Sequence, residues 1–385
     1  MIGRSFSSGH SVKTSDGPRI GLRPGILILV LLLLSSRPLA AQDELLPVFH
    51  FNRISAADGL PSNEIRSRVV RDQNGYAWIG TVRGLARYDG YGCKEYRNDS
   101  NDPYSISSNY IASLLVDSKQ RLWVGTGFSG LSLYDPARDR FLNLPPRPSD
   151  SSSYTSPFIY DIIEDRSGQL WLATDSGIVR IRMPQDAGSM DMERLAREIH
   201  FTTYSLGTVQ TNAECLREQA DGTILVASAR GLIVFDPQTG SVSRPGFRDS
   251  AGRLLDSLYI VSVIRDSHGI LWVGTAIRGM FRVDLKKMDV RNYRHREGDE
   301  RSILSDQVTS FVEDGGGHLW ISTDRGIDRF SIAEDQCTPY LVCSADPRGS
   351  AIRKLSIDNA GNLWISGFKD GVFGLTPTSL KFPHY

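Results

Sequence analysis

Residues 117–126 read DSKQRLWVGT, and the phrase around Trp123 decides how the rest of the chain is parsed. In front of it lies Ile111-Ala112-Ser113-Leu114-Leu115-Val116, an alternating run of the kind a half-buried strand shows. Asp117 can accept hydrogen bonds from turn amides, so this run and Leu122-Trp123-Val124-Gly125-Thr126 read as the arms of a tight hairpin. Behind the phrase a short loop ends at Gly130 and opens a third strand, Leu131 to Asp135. A weaker fourth, Arg140 to Asn143, follows before a polar segment rich in Ser and Pro.

The phrase recurs. All six tryptophans of the chain sit in it: DQNGYAWIGT around Trp78, then the copies at Trp123, Trp171, Trp272, Trp320 and Trp364. A seventh copy, QADGTILVAS, has Leu225 in the tryptophan position and Gln219 where the others have Asp. Successive copies are 45, 48, 54, 47, 48 and 44 residues apart. The long interval holds an extra segment, Met183 to His200, with a short helical turn expected around Met192 to Arg197. Four short antiparallel strands at this period are the pattern of a β-propeller blade. One blade cannot bury both of its faces, whereas seven set radially bury them against one another. The expectation is an all-β chain with a single seven-bladed β-propeller over residues 42–385. The outer strand of the last blade is expected from Val48 to Ile54, because pairing that edge removes an aggregation template. The residues two places after the tryptophans, Gly80, Gly125, Ala173, Ala227, Gly274, Ser322 and Ser366, are all small, as crowded neighbouring strands require.

Residues 1–41 read differently. Arg4, Lys13, Arg19 and Arg23 precede the apolar run Ile26 to Leu34, and small residues up to Ala41 follow it. These are the three parts of a secretory signal, and the run is shorter than the roughly 20 residues a membrane crossing needs. The protein is therefore expected to be exported, to a periplasmic or extracellular location. Lys plus Arg and Asp plus Glu both number 44, so no global basic field favours nucleic acid. The four cysteines have no metal-ligand spacing; no metal or cofactor is expected, and Cys337 and Cys343 could form a local bridge.

The recurring D-x-x-G-x-[LI]-W-[IV]-G-T phrase resembles the two-component regulator propeller repeat, and Ile54 to Asn63 resembles the opening of such sensors. The resemblance covers residues 48 to about 376. It implies the extracytoplasmic sensing part of a histidine kinase, a hybrid sensor or a diguanylate cyclase, with carbohydrate fragments among the ligands. Such sensors usually continue into a membrane helix and an output module; neither is expected within these residues, so a membrane kinase or cyclase is the expected partner. The phrase is also similar to streptogramin lyase repeats. The histidines, however, fall in outer strands, turns or terminal segments, and the chain is expected to be non-catalytic. A protein-interaction scaffold is the other alternative.

For the ligand, attention falls on the loops between second and third strands, which lie on one face of a propeller. Arg83, Arg230, Arg278 and Arg325 precede the loop glycines, with Lys369 in the last blade and Phe128 in the second. The four arginines could form a cationic ring for an anionic oligosaccharide, or could lie along neighbouring apolar surface and pair with acids. Tyr104, Tyr110, Tyr154, Phe158 and Tyr160, in or near blade-joining segments, are candidate sugar-stacking faces or blade caps.

Overall fold

The computed structural model describes residues 51–150, 152–188, 190–207, 212–252, 255–342, 352–358, 360–367 and 369–375. The proposed signal segment and Cys343, the second half of the possible bridge, lie outside them; Cys337 is buried with a free thiol. The described chain forms seven four-stranded antiparallel sheets, arranged as the blades of a propeller. Blade 2 is typical, with strands Ile111–Val116, Leu122–Thr126, Leu131–Asp135 and Arg140–Leu144 from the axis outward. In blade 7 the outer strand is Phe51–Ile54, paired with Val372–Leu375. Closure is completed at the inner strands, where Val69 of blade 1 and Ser356 of blade 7 exchange bonds of 3.2 and 3.1 Å.

The apolar side chains divide into seven clusters, one at each blade–blade interface. Six hold one indole each, with Trp78, for example, buried between blades 1 and 2 and edge-on to Tyr134 at 4.8 Å. Leu225 fills the place in the interface between blades 4 and 5. This is why the chain cannot stop at one blade: each indole is covered by the following blade, not its own. The residue two beyond the tryptophan sets how closely the blades approach. A Cβ at Gly125 would collide with Ser113 Oγ and come within 2.8 Å of Ile159 Cγ2 of blade 3.

The aspartate of the phrase does more than make a turn. Asp266 Oδ1 accepts from the amides of His268 (3.0 Å) and Ile270 (2.8 Å), while Oδ2 accepts from the Trp272 indole at 2.8 Å. The indole–carboxylate bond recurs at 2.8–3.0 Å in all six tryptophan blades. Blade 4 lacks both partners together, and its turn is held instead by Asp221, which accepts from Thr223 N at 3.0 Å. The glycine three before the tryptophan is left-handed, and in blade 2 Gln120 takes that conformation at φ 63°. The preceding glutamates act between blades: Glu164 accepts from Ser118 N and Oγ at 2.6 Å, and Glu313 from Ser267 N and Oγ at 2.8 and 2.6 Å. Each thus holds the turn of the preceding blade.

The insertion in blade 3 forms a helix, Met192–Glu198, capped by Asp191, which accepts from Arg194 N at 2.8 Å. Its one fully buried residue, Leu195, enters the core between blades 2 and 3.

Candidate functional site

The inner strands do not run evenly to their N-terminal ends. In blades 2 to 7 each carries a β-bulge: in blade 2, Ile111 pairs with Thr126 and Ser113 with Gly125, leaving Ala112 without a partner in the ladder. The skipped residues of the next five blades are Tyr160, Glu214, Val261, Thr309 and Arg353. Blade 1 is more irregular, with six residues from Ile65 to Val70 set against four from Thr81 to Trp78. There Arg66 lies between Ile65 and Ser67, the counterparts of Ile111 and Ser113. A bulge re-aims a side chain. All seven residues line one depression of about 380 Å³ at the mouth of the axial channel. The mouth lies on the face of the blade-joining loops, which bond the second-to-third-strand loops through Gly127 N to Tyr110 O (2.9 Å) and Ala276 N to Tyr259 O (3.0 Å).

Each sector of the mouth has its own chemistry. Tyr110, Phe158 and Tyr160 make an aromatic wall on blades 2 and 3, with Phe158 stacked on Tyr160 at 4.3 Å. Asn212 Nδ2 reaches the Tyr160 hydroxyl at 3.4 Å, and the Tyr259 hydroxyl donates to Glu214 Oε1 at 2.7 Å. Burial pushes the Tyr160 phenol up to about 12, with Glu214 adding to the effect. Burial also raises the Glu214 carboxyl, against the opposing pull of the Tyr259 bond and Lys354. On blades 7 and 1, Arg353 is pushed below the ordinary guanidinium value, first by burial and then by the neighbouring Arg66 charge. Arg66 lies over the Tyr110 ring, 5.7 Å from its centroid, and 3.1 Å from Glu64.

Beneath the mouth the channel continues as a cavity of about 510 Å³. Asp161 of blade 3 sits there, buried, paired with Arg68 of blade 1 and with Arg217 of blade 4 at 3.3 Å. Leu216 N donates to the same carboxylate at 3.1 Å. The paired cations, together with Lys354, hold it below the ordinary carboxylate value despite its burial. These bridges connect blades 1, 3 and 4 across the axis and give the mouth a fixed floor.

The six candidate residues lie elsewhere. Arg83, Arg230, Arg278, Arg325 and Lys369 are exposed on the second-to-third-strand loops of that face, and none lines the mouth. The backbone amides of the four arginines bond the Ser or Thr hydroxyl of the preceding strand, at 2.8–3.2 Å. The Arg325 guanidinium also meets His295 Nε2 at 3.4 Å. Phe128 is at the rim, its ring 5.4 Å from Tyr110 and 6.2 Å from Phe158. Of the aromatics, Tyr110, Phe158 and Tyr160 come together at the mouth, and Tyr160 lies within an inner strand, not a joining segment. Tyr154 is a buried cap whose hydroxyl accepts from Leu131 N and donates to Leu144 O. Tyr104 lies under Arg140, 3.9 Å from its guanidinium carbon. Asn212, Glu214, Tyr259, Arg66 and Arg353 were not singled out; Glu214 and Arg353 lie within inner strands and are turned to the axis by their bulges, while Asn212 and Tyr259 stand just before the inner strands of blades 4 and 5 and Arg66 lies in the irregular stretch of blade 1. Among the described residues no group of His, Cys, Asp and Glu is placed to hold a metal, and no helix is long and apolar enough to cross a membrane.

The fold and mouth define a seven-bladed propeller with a polar, aromatic-walled axial depression. The family model described as two component regulator propeller matches residues 59–83, 105–128, 153–176, 248–276 and 302–325. Five of the repeats are thus of the two component regulator propeller type. Its fold is similar to the extracellular domain of the hybrid two component system BT3049 from B. thetaiotaomicron, at 20% identity and TM-score 0.67 over 85% of this chain and 42% of that one. The corresponding domain of BT4673 from the same organism matches at 20% identity and TM-score 0.63, over 88% of this chain and 44% of that one. The chain thus spans less than half the length of these sensor domains. Virginiamycin B lyase from Staphylococcus aureus is similar at 12% identity and TM-score 0.59, over 85% of this chain and 99% of the lyase. At these identities the likeness is one of fold. No curated protein sequence matches the chain.

Proposed function

We propose that this propeller is the exported, non-catalytic ligand-binding part of a two-component or related sensor, and that its axial mouth takes a saccharide. The observation that carries the reading is the bulge ring: seven blades each deliver a side chain to one depression, five of them polar or charged, beside an aromatic wall. Sugar rings present apolar faces that stack on aromatic side chains and hydroxyls that need both donors and acceptors. Tyr160 and Phe158 offer the first; Asn212, Gln307 and Glu214 offer the second. Residues 1–41 would serve as the export signal, and a membrane histidine kinase or cyclase would receive the signal. The rigid floor at Asp161 suits recognition by preorganisation.

The test is binding of the purified chain to a panel of immobilised oligosaccharides, followed by calorimetry on those captured. Tyr160→Ala is expected to weaken the captured ligand about five- to thirtyfold, from loss of about 1–2 kcal/mol of stacking and desolvation. Capture that is indifferent to this substitution would remove the mouth as the site. A scaffold reading has one observation in its favour: Phe128 and Ile277, 69% and 71% exposed, present apolar surface on loops of the same face. Polar substitution of both, with saccharide binding unchanged but a protein partner lost, would favour it.

A further inference from the structure

The aromatic wall does not end at the mouth. Tyr160 is its deepest member, lining both the mouth and the cavity below. Phe158 and Tyr110 line the mouth alone, and Phe128 stands beyond them on the second-to-third-strand loop of blade 2. The four rings form one contiguous series: Phe158 stacks on Tyr160 at 4.3 Å, Tyr110 lies 6.0 Å from Phe158, and Phe128 lies 5.4 Å from Tyr110. The three inner rings are half-buried, whereas Phe128 is 69% exposed. The loop that carries Phe128 is fitted to the wall. It is one residue longer than in blades 1, 3, 4 and 6, and it begins with Gly127, where a Cβ would stand 2.5 Å from Tyr110 Cδ1. The missing side chain lets the Tyr110 ring lie against the loop. Blade 5 has the same longer loop with Ala276 and Ile277 in these places; there Tyr259 bonds Glu214, and Ile277 offers no ring.

We infer that the mouth takes an oligosaccharide by one end, with the terminal sugar on Tyr160 and Phe158 and a following sugar on Phe128, an outer subsite that reads chain length. The inference rests on the saccharide reading above and adds the length of the ligand and the direction in which it lies. Residues of all seven blades line the mouth, so its wall is closed round the axis, and the ion pairs of Asp161 cross the channel beneath. A chain cannot lie along such a depression as it would along an open groove. It goes in end first and comes out over the sector whose surface continues to hold it. Phe128 continues that surface. An exposed phenylalanine gains by covering its face with a sugar ring, and it brings no hydrogen-bonding group that would restrict which sugar follows.

The experiment titrates the purified chain by calorimetry with a length series of one glycan captured on the panel, from the monosaccharide to a long chain. The expected result is one propeller per glycan chain at every length, with affinity rising about two- to twelvefold once the chain reaches Phe128 and then levelling. Phe128→Ala is expected to remove that gain and to leave the monosaccharide affinity and the melting temperature unchanged, while Phe128→Tyr keeps the gain. Tyr160→Ala is expected to weaken every member. If Phe128→Ala weakens the monosaccharide as well, Phe128 only supports the Tyr110 ring and the subsite is overturned. No gain with length, a gain that survives Phe128→Ala, or several propellers on one long chain also overturns it; continued dependence on Tyr160 then leaves the saccharide reading standing. No capture, or capture that Tyr160→Ala does not touch, overturns both.

Discussion

Replacing Asp266 tests what holds a blade together. The carboxylate is 5% exposed and accepts three bonds, from Trp272 Nε1 and the amides of His268 and Ile270. A hydrogen bond to a charged group contributes about 1.5–3 kcal/mol, and a buried donor left without a partner costs about 1–3 kcal/mol. The His268 amide lies nearer solvent and can rehydrate; the Ile270 amide and the indole are buried and cannot. Asp266→Ala should therefore destabilise the protein by about 3–5 kcal/mol. Trp272→Phe removes the donor and leaves the carboxylate short of a partner, and should cost about 2–4 kcal/mol. The double variant Asp266→Asn/Trp272→Phe reproduces what blade 4 has already done, where Leu225 and Gln219 replace the pair together. Its loss should fall short of the summed single losses for Asp266→Asn and Trp272→Phe by about 1.5–3 kcal/mol. Thermal unfolding followed by tryptophan fluorescence reads this as shifts of about 1–2 °C per kcal/mol for a ring of this length. Additivity within about 0.5 kcal/mol would refute the idea that the indole–carboxylate bond fastens the turn.

Three further outcomes follow from single residues. Gln120 is left-handed in a place where six blades have Gly, so Gln120→Gly should stabilise by roughly 0.5–1 kcal/mol, and a lower melting temperature would contradict the argument. Gly125→Ala should cost about 1–3 kcal/mol by forcing blades 2 and 3 apart, and an unchanged melting temperature would show that the interface can give. Asp328 is buried, with Oδ2 accepting from Leu304 N at 2.9 Å and Oδ1 unpartnered, and burial pushes its carboxyl up to about 7. The folded state therefore keeps a proton that the unfolded chain releases near pH 4, so this group's stabilising contribution is full below that pH. It is lost as pH rises towards 7 and stays lost above it. Asp328→Asn should raise stability at pH 8 by about 1–3 kcal/mol relative to the parent and lose that advantage at pH 4; equal effects at both values would refute the burial argument.

The blades were legible because their demands repeat. An indole needs a neighbouring blade, a turn needs Asp and a left-handed residue, and a close approach needs Gly, Ala or Ser; each is written seven times with few substitutions. The 54-residue interval announced the helix in blade 3 for the same reason. The mouth was legible only in part. Tyr110, Phe158 and Tyr160 stood out by type and by position near the loops, but Arg66, Glu214 and Arg353 looked like strand residues of no particular face. A bulge shifts the alternation by one place, and nothing in Ala213-Glu214-Cys215 or Ile352-Arg353-Lys354 marks it. Loop arginines drew attention instead, because loops usually carry function. Their side chains project from the face beyond the mouth, since the second-to-third-strand loops stand farther from the axis than the inner strands do.

That difference in legibility separates fold from recognition within one chain. The position two beyond the tryptophan holds only Gly, Ala and Ser in seven blades, whereas the bulge ring holds Arg, Ala, Tyr, Glu, Val, Thr and Arg. A packing requirement shared by seven blades would produce similar residues in all of them. Thr309 is buried, its hydroxyl donating to Ile352 O of blade 7 at 2.8 Å; the other ring side chains face the depression and are free to differ. Ring variants should accordingly change binding without changing stability. Val261→Ser and Arg353→Gln are expected to leave the unfolding free energy within about 0.5–1 kcal/mol of the parent, against the about 1–3 kcal/mol expected for Gly125→Ala one strand away. Losses from the ring variants as large as that from Gly125→Ala would mean that the ring braces the axis, and the mouth would then have to be read as packing and not as a binding site.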